Sequence, residues 1–131
     1  MLSVRNGASL IKGISRQNIS QSTTKYHNKK VEVNGIIFDS AKEAKRYAEL
    51  RLMERAGMIS DLQRQVVFNL IPNLKDDSGR VLERAVKYIA DFAYIQDGVA
   101  VVEDVKGLRT REYVLKRKMM LYFHGIRVKE V

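Results

Sequence analysis

Two spacings of apolar residues alternate along this chain, one near two and one near three to four, and each change marks a predicted element. Residues 31–38 (VEVNGIIF) place β-branched residues on either side of Asn34-Gly35, which predicts a short hairpin with that pair as its turn. Asp39-Ser40 closes the hairpin and starts a helix over residues 41–56, with Gly57 as its stop. On that helix Ala44, Tyr47, Ala48 and Arg51 share a face, with Leu52 and Met53 nearby, while Lys42, Lys45, Arg46 and Glu49 are expected to face outward.

The second half reads mostly as strands. Residues 65–71 form one, closed by Pro72, the only proline, and residues 75–80 form a hydrophilic turn. Residues 85–95 form a longer strand, with Tyr88, Phe92 and Tyr94 expected on one face and Ile89, Asp91 and Ala93 on the other. Asp97-Gly98 makes a second tight turn. Residues 99–106 are nearly all apolar until Glu103, which predicts a strand buried on both faces, and Gly107 ends it. A second helix is expected over residues 110–123, with Val114, Leu115, Met119, Tyr122 and Phe123 as packing positions and His124-Gly125 as its stop. Residues 126–131 are a last strand. The order is hairpin–α–β–β–β–α–β, an α/β chain with no internal repeat.

Composition narrows the class. A chain of 131 residues, 45% hydrophobic, suits one domain with a modest core. No cysteine is present, which excludes disulfides and thiolate zinc sites. No apolar run approaches the ~20 residues needed to span a bilayer. The formal net charge is +9, which favours a polyanionic partner, most simply nucleic acid. The charge is uneven: Arg5, Lys12, Arg16, Lys25, Lys29 and Lys30 fall in the first thirty residues, which hold no acid. Residues 1–24 therefore read as a flexible basic tail of the kind that contacts phosphates, ahead of a domain at 25–131. The expected compartment is the cytoplasm. An Arg- and Ser-containing, acid-poor start also fits a mitochondrial presequence, and the lack of a continuous apolar core argues against a secretory signal.

The candidate chemistry sits on the two neighbouring strands. Asp91 lies in YIADF, among apolar neighbours; Asp104 and Lys106 lie in VVEDVKG. Side chains alternate along a strand, so Asp104 and Lys106 share a face while Glu103 and Val105 point away. Two carboxylates and an ammonium on one sheet face are costly to bury unpaired, a cost that a divalent cation and a phosphate would relieve. Hard oxygen ligands suit magnesium, with manganese able to substitute, and the backbone carbonyl of Val105 offers a further oxygen. Glu43 is a third acid, but Ser40-Ala-Lys-Glu43 also fits a helix capping box, and on its own it reads as structural. Thr110, Arg111, Tyr113, Lys116, Arg117 and Lys118 put hydroxyls and cations directly after the site, either as a solvated face or as phosphate contacts. His27 and His124 do not suggest a paired metal site.

Taken together, the segments FDSAKEAKRY (38–47), ISDLQRQ (59–65), YIADF (88–92) and VEDVKG (102–107) resemble a phage-encoded, endonuclease-like family of the PD-(D/E)XK nuclease superfamily, one often described as Holliday-junction-resolvase-like. The resemblance covers residues 25–131. It implies a restriction-endonuclease-like core of the order already read. It assigns the first-helix glutamate to Glu43, the middle acid to Asp91, and the acid-x-Lys to Asp104 and Lys106. The superfamily often carries Glu where this chain has Asp104.

The resemblance implies a magnesium-dependent endodeoxyribonuclease. Glu43, Asp91 and Asp104 would hold the metal, with Lys106 assisting attack by water on a phosphodiester. It also implies branched DNA as substrate during phage recombination or replication, a host-cell cytoplasmic setting, and a homodimer for paired cuts. Two alternatives stay open: a duplex nuclease of restriction or transposase-subunit type, and a non-catalytic DNA-binding module that keeps the fold.

Overall fold

The computed structural model describes residues 29–131. The expected basic tail at 1–24 and His27 lie outside the described residues. Strands β1 (Val31–Val33) and β2 (Ile36–Phe38) form the first hairpin. Both of its turn residues adopt positive φ, 52° at Asn34 and 80° at Gly35, as a type I′ turn demands and as Asn-Gly tolerates best. Helix α1 (Ala41–Arg55) follows, capped by the Ser40 hydroxyl, which accepts the Glu43 N–H at 3.1 Å.

The main sheet contains β3 (Ser60–Ile71), β6 (Val86–Gln96), β7 (Val99–Asp104) and β8 (Lys129–Glu130), in that spatial order. The first three strands are antiparallel neighbours, and β8 joins β7 in parallel, so the sheet is mixed. A small hairpin, β4 (Leu74–Lys75) with β5 (Val81–Glu83), lies where only a turn was expected. It is closed by Asp76, whose carboxylate accepts from the Ser78 and Arg80 amides. Helix α2 (Arg111–His124) begins at the Thr110 cap and ends on Gly125, whose φ of 66° is the left-handed conformation that a helix stop of this type requires. Each helix covers one face of the sheet. Leu50 of α1 packs with Ile59, Phe92 and Tyr94; Tyr113 and Met120 of α2 pack with Phe68, Tyr88, Val102 and Val128.

Those two cores correct the expected faces of β6. Tyr88 belongs to the α2 side, whereas Phe92 and Tyr94 belong to the α1 side, although all three sit at even positions. The same change occurs in β3, where Leu62 packs with the α1 core and Val66, Phe68 and Leu70 with the α2 core. Arg64 pairs with Phe92 and Val66 with Ala90, so Gln65 and Asp91 lie opposite each other where both strands lose their alternation. Gln65 has a φ of 52°, which breaks the pleat of β3 there. One out-of-phase residue moves every later side chain to the other face.

Three further expectations are corrected. On α1, Ala48, Arg51 and Leu52 are exposed and Arg46 turns inward, because the fully buried Glu103 needs a cation. On α2, Leu115, Tyr122 and Phe123 are exposed, and Tyr113 and Met120 are the buried positions. Strand β7 is not buried along its length: Val99 is exposed, and burial deepens only toward Asp104.

Candidate active site

An open cleft of about 540 Å³ lies where the start of α1, the middle of β6, the end of β7 and the start of α2 meet. Glu43, Asp91, Asp104 and Lys106, the acids and the lysine singled out above, all line it, as does Val105. Each arrives by a separate local cause. Glu43 is in the first turn of α1, oriented by the Ser40 cap. Asp91 is the residue at which β6 changes face. Its carboxylate accepts the Val105 N–H at 2.8 Å, so it terminates the β6–β7 ladder, whose last paired residues are Phe92 and Glu103. Asp104 and Lys106 follow on the strand end just released.

Strand β8 holds that end in place. Val131 N–H donates to the Asp104 carbonyl at 3.0 Å, and Lys106 N–H donates to the Val131 carbonyl at 3.2 Å. The alternation read from the sequence is present: Lys106 Nζ lies 3.3 Å from Asp104 Oδ2, while Glu103 points to the opposite face. There it accepts from Arg46 Nε and a second guanidinium nitrogen at 2.8 and 2.6 Å and from the Tyr94 hydroxyl. Burial alone would favour the neutral acid at Glu103, but the Arg46 bonds win and hold it below the usual carboxylate range. Glu103 is thus a paired structural anion, and Asp104 is the acid of the cleft.

The cleft acids are electrostatically crowded. Glu43 is 4% exposed and its carboxyl is pushed up to about 7, first by burial and then by Asp39, with Arg64 opposing and Asp104 adding. Asp91 is held well above the ordinary range by burial, by the charges of Glu43 and Asp104, and by a carboxyl–carboxyl hydrogen bond with Asp104. The Tyr88 hydroxyl donates to Asp104 Oδ2 at 2.6 Å, and burial beside that carboxylate keeps the phenol protonated. Protons therefore offset part of the repulsion among three neighbouring carboxyls.

This donor set fits a hard divalent cation. Among the described residues no three acidic or imidazole groups already surround a single point at coordinating distance. The fit rests instead on three carboxyls lining one cleft, with Glu43 and Asp104 both close enough to raise the affinity of Asp91 for its proton. A cation could replace the proton that Asp91 holds.

The second helix contributes less uniformly than its sequence suggests. Thr110, Tyr113 and Lys116 line the cleft. The Thr110 hydroxyl, however, is engaged as the helix cap, accepting the Tyr113 N–H at 3.1 Å. The Tyr113 hydroxyl donates to Glu130 at 2.8 Å, leaving its ring to face Lys106. Arg111 is exposed outside the cleft lining, Arg117 pairs with Glu130, and Lys118 lines a separate groove. Lys42, Lys87, Asp39, Glu112 and Tyr88 line the cleft but were not singled out from sequence. Asp39 stands just before the Ser40 cap of the helix that carries Glu43, a proximity readable in the sequence; Lys87 and Tyr88 needed the β6 register. His124 is turned to the Asn69 carbonyl at 2.7 Å.

No helix among the described residues is long and apolar enough to cross a membrane. No curated protein and no solved structure matches the chain. A family model does match, over residues 23–130, and so takes in every element from β1 to β8 and the whole cleft. The chain belongs to the family described as protein of unknown function (DUF1064).

Proposed function

We propose that this protein is a metal-dependent endodeoxyribonuclease, with magnesium as the cation and manganese able to substitute. The observation that carries the reading is that Glu43, Asp91 and Asp104 line one open, lysine-rimmed cleft, with Lys106 Nζ 3.3 Å from Asp104. Asp91, Asp104 and Glu43 would hold the cation, and the Val105 carbonyl is a further oxygen at the same strand end. When bound, such a cation polarises a phosphodiester and increases the acidity of water.

The rest falls to the chain's own groups. Lys42, Lys87 and Lys116 on the rim attract and orient the phosphate backbone. Lys106 can donate to the attacking water or to a phosphoryl oxygen as charge builds on it. Glu43, beside the cation, can accept a hydrogen bond from that water and orient it. Water adds to phosphorus and gives up a proton to solvent, the bond to one bridging oxygen breaks, and the departing oxygen takes a proton from solvent. The resemblance to PD-(D/E)XK nucleases, carried on Glu43, Asp91, Asp104 and Lys106, supports the same assignment. It also favours branched DNA and a homodimer acting on paired strands.

The test is cleavage of a labelled four-way junction and of a linear duplex of the same sequence, in magnesium and in chelator, by wild type and Lys106→Ala. Magnesium-dependent cutting of the junction alone, lost in Lys106→Ala, is the expected result. Cutting of both substrates would retain the nuclease and discard the preference for junctions. Tight binding without cutting in either metal would replace the enzyme with a DNA-binding module.

A further inference from the structure

A second groove, of about 820 Å³, runs between the outer side of α2 and the segment leading into β8. Arg117, Lys118, Arg127 and Lys129 line it, over apolar surface from Leu121 and Val128. It shares no lining residue with the cleft. Among the described residues the only acid in its lining is Glu130, and that carboxylate is already engaged by Arg109 at 2.7 Å, Tyr113 at 2.8 Å and Arg117 at 2.9 Å. Those three partners hold Glu130 ionised, down to about 2. Lys129 has a distant partner, Glu103 at 3.8 Å. The side chains of Lys118 and Arg127 make no ion pair or hydrogen bond among the described residues.

We propose that this groove is a second binding site for the phosphodiester backbone of DNA, distinct from the cleft. Glu130 has its bonding capacity largely used, and the Lys129 ammonium is drawn to Glu103, but Lys118 and Arg127 are left without a counter-charge, so the groove carries excess positive charge that the described fold does not neutralise. A polyanion with regularly spaced charges relieves that excess, and each phosphate bound releases a condensed counterion. The apolar strip between the cations matches the apolar edges of deoxyribose. Glu130 fixes the groove relative to the cleft, because it holds Arg117 on one side and the cleft residue Tyr113 on the other. Backbone contacts of this kind position a duplex and carry no sequence preference. The inference goes beyond the nuclease reading, since it concerns binding and holds whether or not the cleft hydrolyses DNA.

The experiment is fluorescence anisotropy of a labelled linear duplex with the full chain in chelator, over a salt titration, so that no hydrolysis is needed. The variant K118E/R127E reverses the two unpaired cations, both exposed. The control K45E/R55E makes the same charge change at exposed positions of α1 that line neither concavity. K118E/R127E is expected to bind at least about 10-fold more weakly, with a log–log salt slope shallower by about 2, while the control changes affinity less than about 3-fold. Unchanged affinity and slope in K118E/R127E, or equal losses in both variants, would overturn the proposal, as would a wild-type chain that does not bind duplex in chelator. If circular dichroism shows that K118E/R127E does not fold, K118Q/R127Q is read instead, with the same shallower slope expected and an unchanged slope overturning the proposal.

Discussion

The Lys106 ammonium sits 3.8 Å from the centroid of the Tyr113 ring, and the hydroxyl of that ring donates to Glu130 on the C-terminal strand. A flexible lysine is thereby held over an aromatic face that is itself anchored at both ends, by the α2 backbone and by β8. A cation–π contact is worth roughly 0.5–2 kcal/mol, which is enough to bias where the ammonium spends its time. Tyr113→Leu should therefore lower single-turnover cleavage by about 10-fold, while Tyr113→Phe, which keeps the ring, stays within about 3-fold of wild type. Equal losses in the two variants would mean that the hydroxyl bond to Glu130, rather than the ring, positions Lys106.

Glu43 makes stability depend on pH in a direction opposite to that of a paired carboxylate. Its folded value of about 7 lies above the ordinary 4.5, so between those values the folded state holds a proton that the unfolded state has lost. Stability of the metal-free protein should be greatest below pH 4.5, as far as this group is concerned, and fall as pH rises toward 7. Glu43→Gln removes the penalty on ionisation. In chelator its melting temperature should exceed that of wild type at pH 8 and match it near pH 4.5, to the extent that the amide fits the same space. Magnesium affinity of the wild type should rise from pH 6 to pH 8 because the ion competes with protons. Calorimetric titration in buffers of different ionisation enthalpy reads the protons released, and no release would remove Glu43 and Asp91 from the binding equilibrium.

Arg46 and Glu103 form a buried ion pair on the face of the sheet away from the cleft, with Glu103 0% exposed. Arg46→Ala leaves a buried carboxylate with only the Tyr94 hydroxyl and a lysine at 3.8 Å, and should cost about 3–5 kcal/mol. Lys45→Ala, one residue earlier and exposed, should change stability by less than about 0.5 kcal/mol. Urea unfolding of the two variants compares them directly.

Asp104→Ala should abolish magnesium-dependent cleavage and leave DNA binding in chelator equal or tighter, since a carboxylate is removed from a surface that faces phosphate. Competition binding with the labelled junction measures the second half. Normal cleavage by this variant would remove Asp104 from the metal site, and cleavage is the more demanding readout because it needs the acid and not merely the shape.

Local chemistry was legible where a few adjacent residues decide it. Asn34-Gly35 and Asp97-Gly98 suit positive-φ turns, Ser40 suits a helix cap, and Gly125 suits a left-handed stop, each for reasons contained within one turn of chain. The separation of Asp104 and Lys106 from Glu103 was also set by sequence alone, because strand alternation needs no partner as long as the strand is regular.

What only the tertiary structure decided depends on pairing between distant segments. The loss of alternation at Asp91 comes from its position opposite Gln65, so no reading of β6 by itself places Tyr88 and Tyr94 on different faces. Arg46 turns inward because Glu103, far along the chain, is buried and must be paired. Tyr113 leaves the expected exposed face because β8 returns beside β7 and brings Glu130 to its hydroxyl. The sequence by itself determined which residue types and local faces were available. The packing of two helices on opposite sides of one sheet decided which of them meet, because desolvation makes a buried charge follow its partner rather than its own helix or strand period.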